Sequence, residues 1–114
     1  MTSKPETLEE VFDLFSVNLS TFGTGFFLRY VEILYDRLRR KPAKPCSGKV
    51  LRDLAAEYGM YYLALNSMMR ASVRSMLEAD DEALSFCGLE PQKRTVPALA
   101  EAMARALIAG KLTF

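Results

Sequence analysis

The sequence predicts an all-α fold, a compact bundle of about four to five helices formed by one domain over residues 1–114. Apolar residues recur at three- and four-residue spacing through most of the chain, the period of a helix with one buried face. Residues that start and stop helices stand at the ends of those stretches: Thr7, Ser47 and Thr95 before them, and Gly59, Gly88 and Gly110 after them. A chain of 114 residues is long enough for one core and too short for two comfortable ones.

Thr7 followed three residues later by Glu10 is a capping box, so the first helix is expected to begin at Leu8. Leu8, Val11, Phe12, Phe15, Leu19 and Phe22 then recur at helical spacing and mark its buried face. Gly23-Thr24-Gly25 interrupts the pattern, because two glycines disfavour a helix by about 2 kcal/mol relative to alanine. Either the chain turns there, or a long helix passes through at a place where another backbone comes close. Phe26, Phe27, Tyr30, Val31, Ile33, Leu34 and Leu38 continue an amphipathic helix to about Arg40. Aromatic side chains are dense across residues 8–40, which reads as core or as the interface of a homodimer.

Residues 41–47 form a short basic linker, since Pro42 and Pro45 each remove a donor and bias the residue before them to an extended backbone. Ser47 is placed to cap the next helix, and residues 48–79 read as a pair of helices, the second running from about Tyr61 to Leu77 or Ala79. Glu78, Asp80, Asp81 and Glu82 cluster at the end of that pair, as a solvated acidic face or as a partner for the basic run nearby. Ala83 to Cys87 allow a helical turn closed by Gly88. Residues 95–110 form an alanine-rich last helix with Thr95 as cap, Pro97 in its first turn and Gly110 as stop, and its slim side chains let Leu99, Met103 and Leu107 approach a neighbour. Leu112 and Phe114 are left to dock the tail.

Within residues 50–70, Ala55 is the small residue needed where a second helix presses on the first. Gly59, four positions on, suits a left-handed turn. Leu54, Tyr58, Met60, Leu65 and Met68 occupy the positions expected to be buried between the two helices. This stretch resembles the helix-turn-helix of DNA-binding regulators as a class. The resemblance implies that the outward face of the second helix, Asn66, Ser67, Arg70 and Arg74, lies against DNA, with Asn66, Ser67 and Arg70 nearest base edges. Lys49, Arg52 and Arg74 would then contact phosphates.

Net charge is +1, so the chain as a whole is not a basic nucleic-acid coat, yet residues 37–52 carry Arg37, Arg39, Arg40, Lys41, Lys44, Lys49 and Arg52 with no acid among them. The alternative for this run is a solvated helix end whose cations face the negative end of the dipole. No histidine is present, and Cys46 and Cys87 lie far apart, so an ordinary zinc site lacks ligands. The acidic cluster has no magnesium or calcium loop spacing, and neither a catalytic constellation nor a phosphate-binding glycine loop occurs. No enzymatic activity and no cofactor are expected. The N-terminus does not read as a signal peptide and no apolar run is long enough to span a bilayer, which leads us to expect a cytoplasmic protein with no membrane partner.

Two functions remain. The first is a small DNA-binding regulatory protein, dimeric through the aromatic helices, that reads a two-fold site. The second is a non-enzymatic protein-binding module, an adaptor, inhibitor or assembly subunit, that uses Tyr61, Tyr62 and Leu63 as an aromatic hot spot. Burial separates them. Inward tyrosines leave the polar face as the presented surface and favour DNA, while outward ones favour a protein partner.

Overall fold

The computed structural model describes residues 3–41 and 47–114, and among these the architecture is all-α. Its helices are α1 (Leu8–Leu14), α2 (Phe22–Arg40), α3 (Ser47–Glu57), α4 (Tyr62–Ser72), α5 (Arg74–Leu77), α6 (Asp81–Phe86) and α7 (Val96–Ile108). No helix among the described residues is long and apolar enough to cross a membrane. The basic proline linker falls largely on residues 42–46 and so lies outside the described residues.

The central element is α2, which packs against α7, α4 and α3, while α3 and α4 also touch each other and α7. Its buried residues Phe27, Tyr30, Val31 and Leu34 are fully enclosed, with Leu54 from α3, Leu65 and Met69 from α4, and Leu99 and Met103 from α7. The small residues Ala100, Ala104 and Ala106 of α7 are buried too, which lets its backbone lie close to its neighbours, as the alanine-rich pattern implies. Tyr30 is enclosed to its tip, and its hydroxyl donates to the Ser47 carbonyl at 2.7 Å, so the polar end is satisfied where the ring adds to the core.

The first helix is shorter than its apolar spacing suggests. Thr7 caps it as expected, its Oγ1 accepting from the Glu10 amide at 3.1 Å. The chain then turns after one further turn of helix: Ser16 adopts φ +57°, the Val17 amide donates to Phe12 O at 2.8 Å, and the Ser16 amide donates to Asp13 O at 3.0 Å. Val17 drops into the core, whereas Leu19 and Phe22, expected on the buried face, point to solvent. Local polar chemistry overrides the apolar period here. Asn18 Oδ1 accepts from the Ser20 amide at 2.9 Å, and Thr21 caps α2 by accepting from the Thr24 amide at 3.3 Å.

The break therefore precedes Gly23-Thr24-Gly25, and both glycines lie inside the start of α2. No long helix runs through from α1, but the close approach of backbones expected with it is present at Gly23, where an added Cβ would stand 2.4 Å from Met68 O and 2.1 Å from Ser72 Oγ of α4. Gly25 is exposed and has no atom within 4 Å of such a Cβ.

The second and third acidic-cluster residues begin a helix rather than end one. Asp80 caps α6, accepting from the Ala83 amide at 2.8 Å, and Asp81 pairs with Arg94. At α6's first turn negative charge favours the dipole, and no described ion pair joins the cluster to the basic run of residues 37–52. At the other end α7 starts on Thr95, which accepts from the Ala98 amide at 3.2 Å. The tail then returns to the start of the chain: Leu112 is buried, the Leu8 amide donates to Thr113 O at 2.9 Å, and the Thr113 amide donates to Glu6 O at 2.8 Å.

The two glycines should respond to alanine with opposite sign. Gly23→Ala is expected to lower unfolding free energy by about 2 kcal/mol or more, the size of an overpacking defect that a carbonyl cannot relieve by rotating away. Gly25→Ala is expected to raise it by about 0.5–1 kcal/mol through helix propensity. Urea titrations of both variants beside the wild type check this, and shifts of the same sign would refute the close approach. Ser16→Gly relieves a side chain of a left-handed backbone and is expected to add about 1 kcal/mol, read as a melting temperature about 4 °C higher.

Candidate nucleic-acid interface

The helix pair α3 and α4 is joined by a four-residue turn, 58–61, and the sequence chemistry of that turn is local. Gly59 takes φ +64°, a conformation that disfavours any residue with a Cβ. The Met60 amide donates to Ala55 O at 2.8 Å and the Gly59 amide to Ala56 O at 3.1 Å, which satisfies carbonyls that the end of α3 would otherwise leave free. Then α4 begins after an extended Tyr61, with no side-chain hydrogen bond to cap it. Ala55, Leu54 and Leu65 are buried and Met60 is half-buried against the core, as expected.

Tyr58 and Met68 depart from that expectation and lie at the surface. The reason is the neighbour that α4 chooses. It leans on α2 at Gly23, so Leu65 and Met69 turn inward and Met68 is left at the rim, while Tyr58 packs its ring on Phe26 with centroids 4.7 Å apart.

Ser67, Arg70 and Arg74 line one open groove of about 350 Å³ together with Ala71, Leu77 and Glu78. Asn66 is not in it. It is half-buried at the edge of α4, on the face it shares with Tyr62 at i−4. The outward stripe of α4 instead runs Leu63, Ser67, Arg70, at spacings of four and three, so an exposed leucine takes the place expected for Asn66. Arg74 continues the stripe from the first position of α5, because the second helix, expected to run to Leu77 or Ala79, breaks at Val73. Lys49 and Arg52 are exposed on α3, and the Arg52 guanidinium lies over the Tyr62 ring at 5.2 Å.

Sequence reasoning assigned Glu78 to the acidic cluster and missed that it belongs to this groove. Its spacing of four from Arg74 was the available signal, and the structure closes that pair with Arg74 Nε donating to Glu78 Oε1 at 2.8 Å. The hydrogen bond to Glu78, and after it the carboxylate's charge, raise the Arg74 pKa above its ordinary value. The wider basic run is also partly engaged: Arg37 faces Asp53 at 3.6 Å, Arg40 faces Asp36 at 3.3 Å, and Arg39 lies over Tyr35. Lys44 lies outside the described residues.

The three residues that open α4 divide. Tyr61 is 66% exposed and Leu63 49%, whereas Tyr62 is half-buried against the core beneath Arg52. Among the described residues no group of three or more histidine, cysteine or carboxylate side chains could hold a metal ion. Cys87 is fully buried, and burial pushes its thiol pKa up. No protein-family model matches the chain, and comparison with curated proteins and with solved structures finds no match.

The division of the tyrosines has a direct test. Tyr62→Ala is expected to destabilise the protein by about 2 kcal/mol, since it removes a packed ring, and Tyr61→Ala by no more than about 0.5 kcal/mol. Thermal unfolding of the two variants distinguishes them, and equal effects would contradict the orientation of α4.

Proposed function

We propose that this chain is a small DNA-binding regulatory protein that lays the outward stripe of α4 in the major groove. The observation that carries the reading is the convergence of Ser67, Arg70 and Arg74 on one open groove along α4, the second helix of a pair joined at Gly59, and the start of α5. A short turn containing glycine between two packed helices is the arrangement by which such proteins offer one helix to DNA. Behind α4 stands α2, so the offered helix has a rigid support.

In this reading Arg70 is placed for a guanine edge, Ser67 for a base or phosphate, and Arg74 and Lys49 for phosphates. Leu63 begins the stripe, and an apolar side chain in that place suits a thymine methyl. Asn66 and Arg52 take lesser parts, because the first sits at the helix edge and the second is stacked on Tyr62. Two copies related by a two-fold axis would read a two-fold site. The surface for that pairing is narrower than the aromatic content of residues 8–40 suggests, since Phe12, Phe27 and Tyr30 fill the chain's own core, and Phe22, 81% exposed, is the ring left outward.

A second reading, a protein-binding module, is favoured by the exposure of Tyr61, Leu63 and Phe22. One titration separates the two. Binding of the purified protein to a pool of random duplex DNA is expected at low salt, to weaken steeply as salt rises, and to fall at least tenfold in the Arg70→Ala, Arg74→Ala double variant. No binding by the wild type even at low salt would overturn the DNA reading and leave the protein-binding one.

A further inference from the structure

Arg74 is the one cation of the proposed DNA-facing stripe that already holds a carboxylate. Its Nε donates to Glu78 Oε1 at 2.8 Å, and both side chains line the groove that Ser67 and Arg70 share. The pair is poorly suited to a stabilising role. Both side chains are largely exposed, and an arginine four residues before a glutamate is the weaker order for an ion pair along a helix. A phosphate reaching Arg74 finds its Nε occupied and a carboxylate beside the guanidinium, so it displaces Glu78 or binds the remaining donors against that charge.

We propose that Glu78 is an intramolecular competitor for the DNA backbone, holding Arg74 until a phosphate takes its place and so limiting the affinity of this site. The inference rests on the DNA-binding reading and adds a control to it. With the carboxylate present, contact at Arg74 exchanges one anion for another and gains little. Strong binding is then reserved for sequences that also engage Ser67 and Arg70, and nonspecific binding through charge alone is held down.

The test is a fluorescence-anisotropy titration of a labelled random-sequence duplex with four proteins: wild type, Glu78→Gln, Arg74→Ala and the double variant. Glutamine keeps the size of the side chain and removes its charge, and an unchanged melting temperature is expected for so exposed a position. Glu78→Gln is expected to bind about fivefold more tightly at low salt, the effect of removing one unit charge roughly 4 Å from another in water. Its salt dependence should also be steeper by about one counterion, a readout that a structural role for Glu78 would leave unmoved. In the Arg74→Ala background the same substitution should gain less than twofold. Unchanged affinity for Glu78→Gln, or an equal gain with and without Arg74, would overturn the competitor role while the DNA-binding reading stood. Absence of binding by the wild type even at low salt would overturn that reading, and this one with it.

Discussion

The backbones of α2 and α4 touch at Gly23, and the presented surface of the molecule follows from that contact. With no Cβ on Gly23, the Met68 carbonyl and the Ser72 side chain come against the α2 backbone itself. A helix held at that distance has no freedom to roll. Leu65 and Met69 are committed to the core, Met68 to the rim, and the stripe from Leu63 through Arg70 to the outside. Which polar residues α4 can offer to anything is thus decided by a glycine on another helix.

Hydroxyl groups fasten the same junction. Thr24 is fully buried, and its Oγ1 donates to Asn18 O at 2.8 Å while lying 2.8 Å from Thr21 Oγ1. Thr21 Oγ1 is in turn 3.2 Å from Ser72 Oγ, and Ser75 Oγ donates to Phe15 O at 2.7 Å. The connection between α1 and α2 is therefore tied to both sides of the bend between α4 and α5. Each hydroxyl is modest in energy, about 1 kcal/mol, but together they satisfy polar groups that the close approach would otherwise strand.

Helix starts and stops were the most legible part of the sequence, because capping is short-range chemistry. Thr7, Thr95, Gly88, Gly110 and the turn at Gly59 all act within a few residues of themselves. What escaped was either a competition between local signals or a consequence of tertiary placement. Ser16 ends a helix where no glycine announces it, since the Asn18 and Thr21 side chains already define the next start. For the candidate site, Ser67, Arg70 and Arg74 were legible from helical spacing. Asn66 was misplaced by part of a turn, because the direction from which α2 presses on α4 depends on a contact between residues 23 and 68 that no periodicity encodes. The same hidden contact left Tyr58 and Met68 at the surface.

The meeting of residues 6 to 8 with Thr113 orders events in time. Helix α1 is made before α2 to α7, yet the backbone bonds that seat its first turn need a carbonyl and an amide made about a hundred residues later. Until then Leu8 and Phe12 have α2 to lean on and nothing to close over them from the other end. Helix α1 is consequently locked late, and the nascent chain carries its acidic face and its apolar face together, unsealed, until Thr113 has been made.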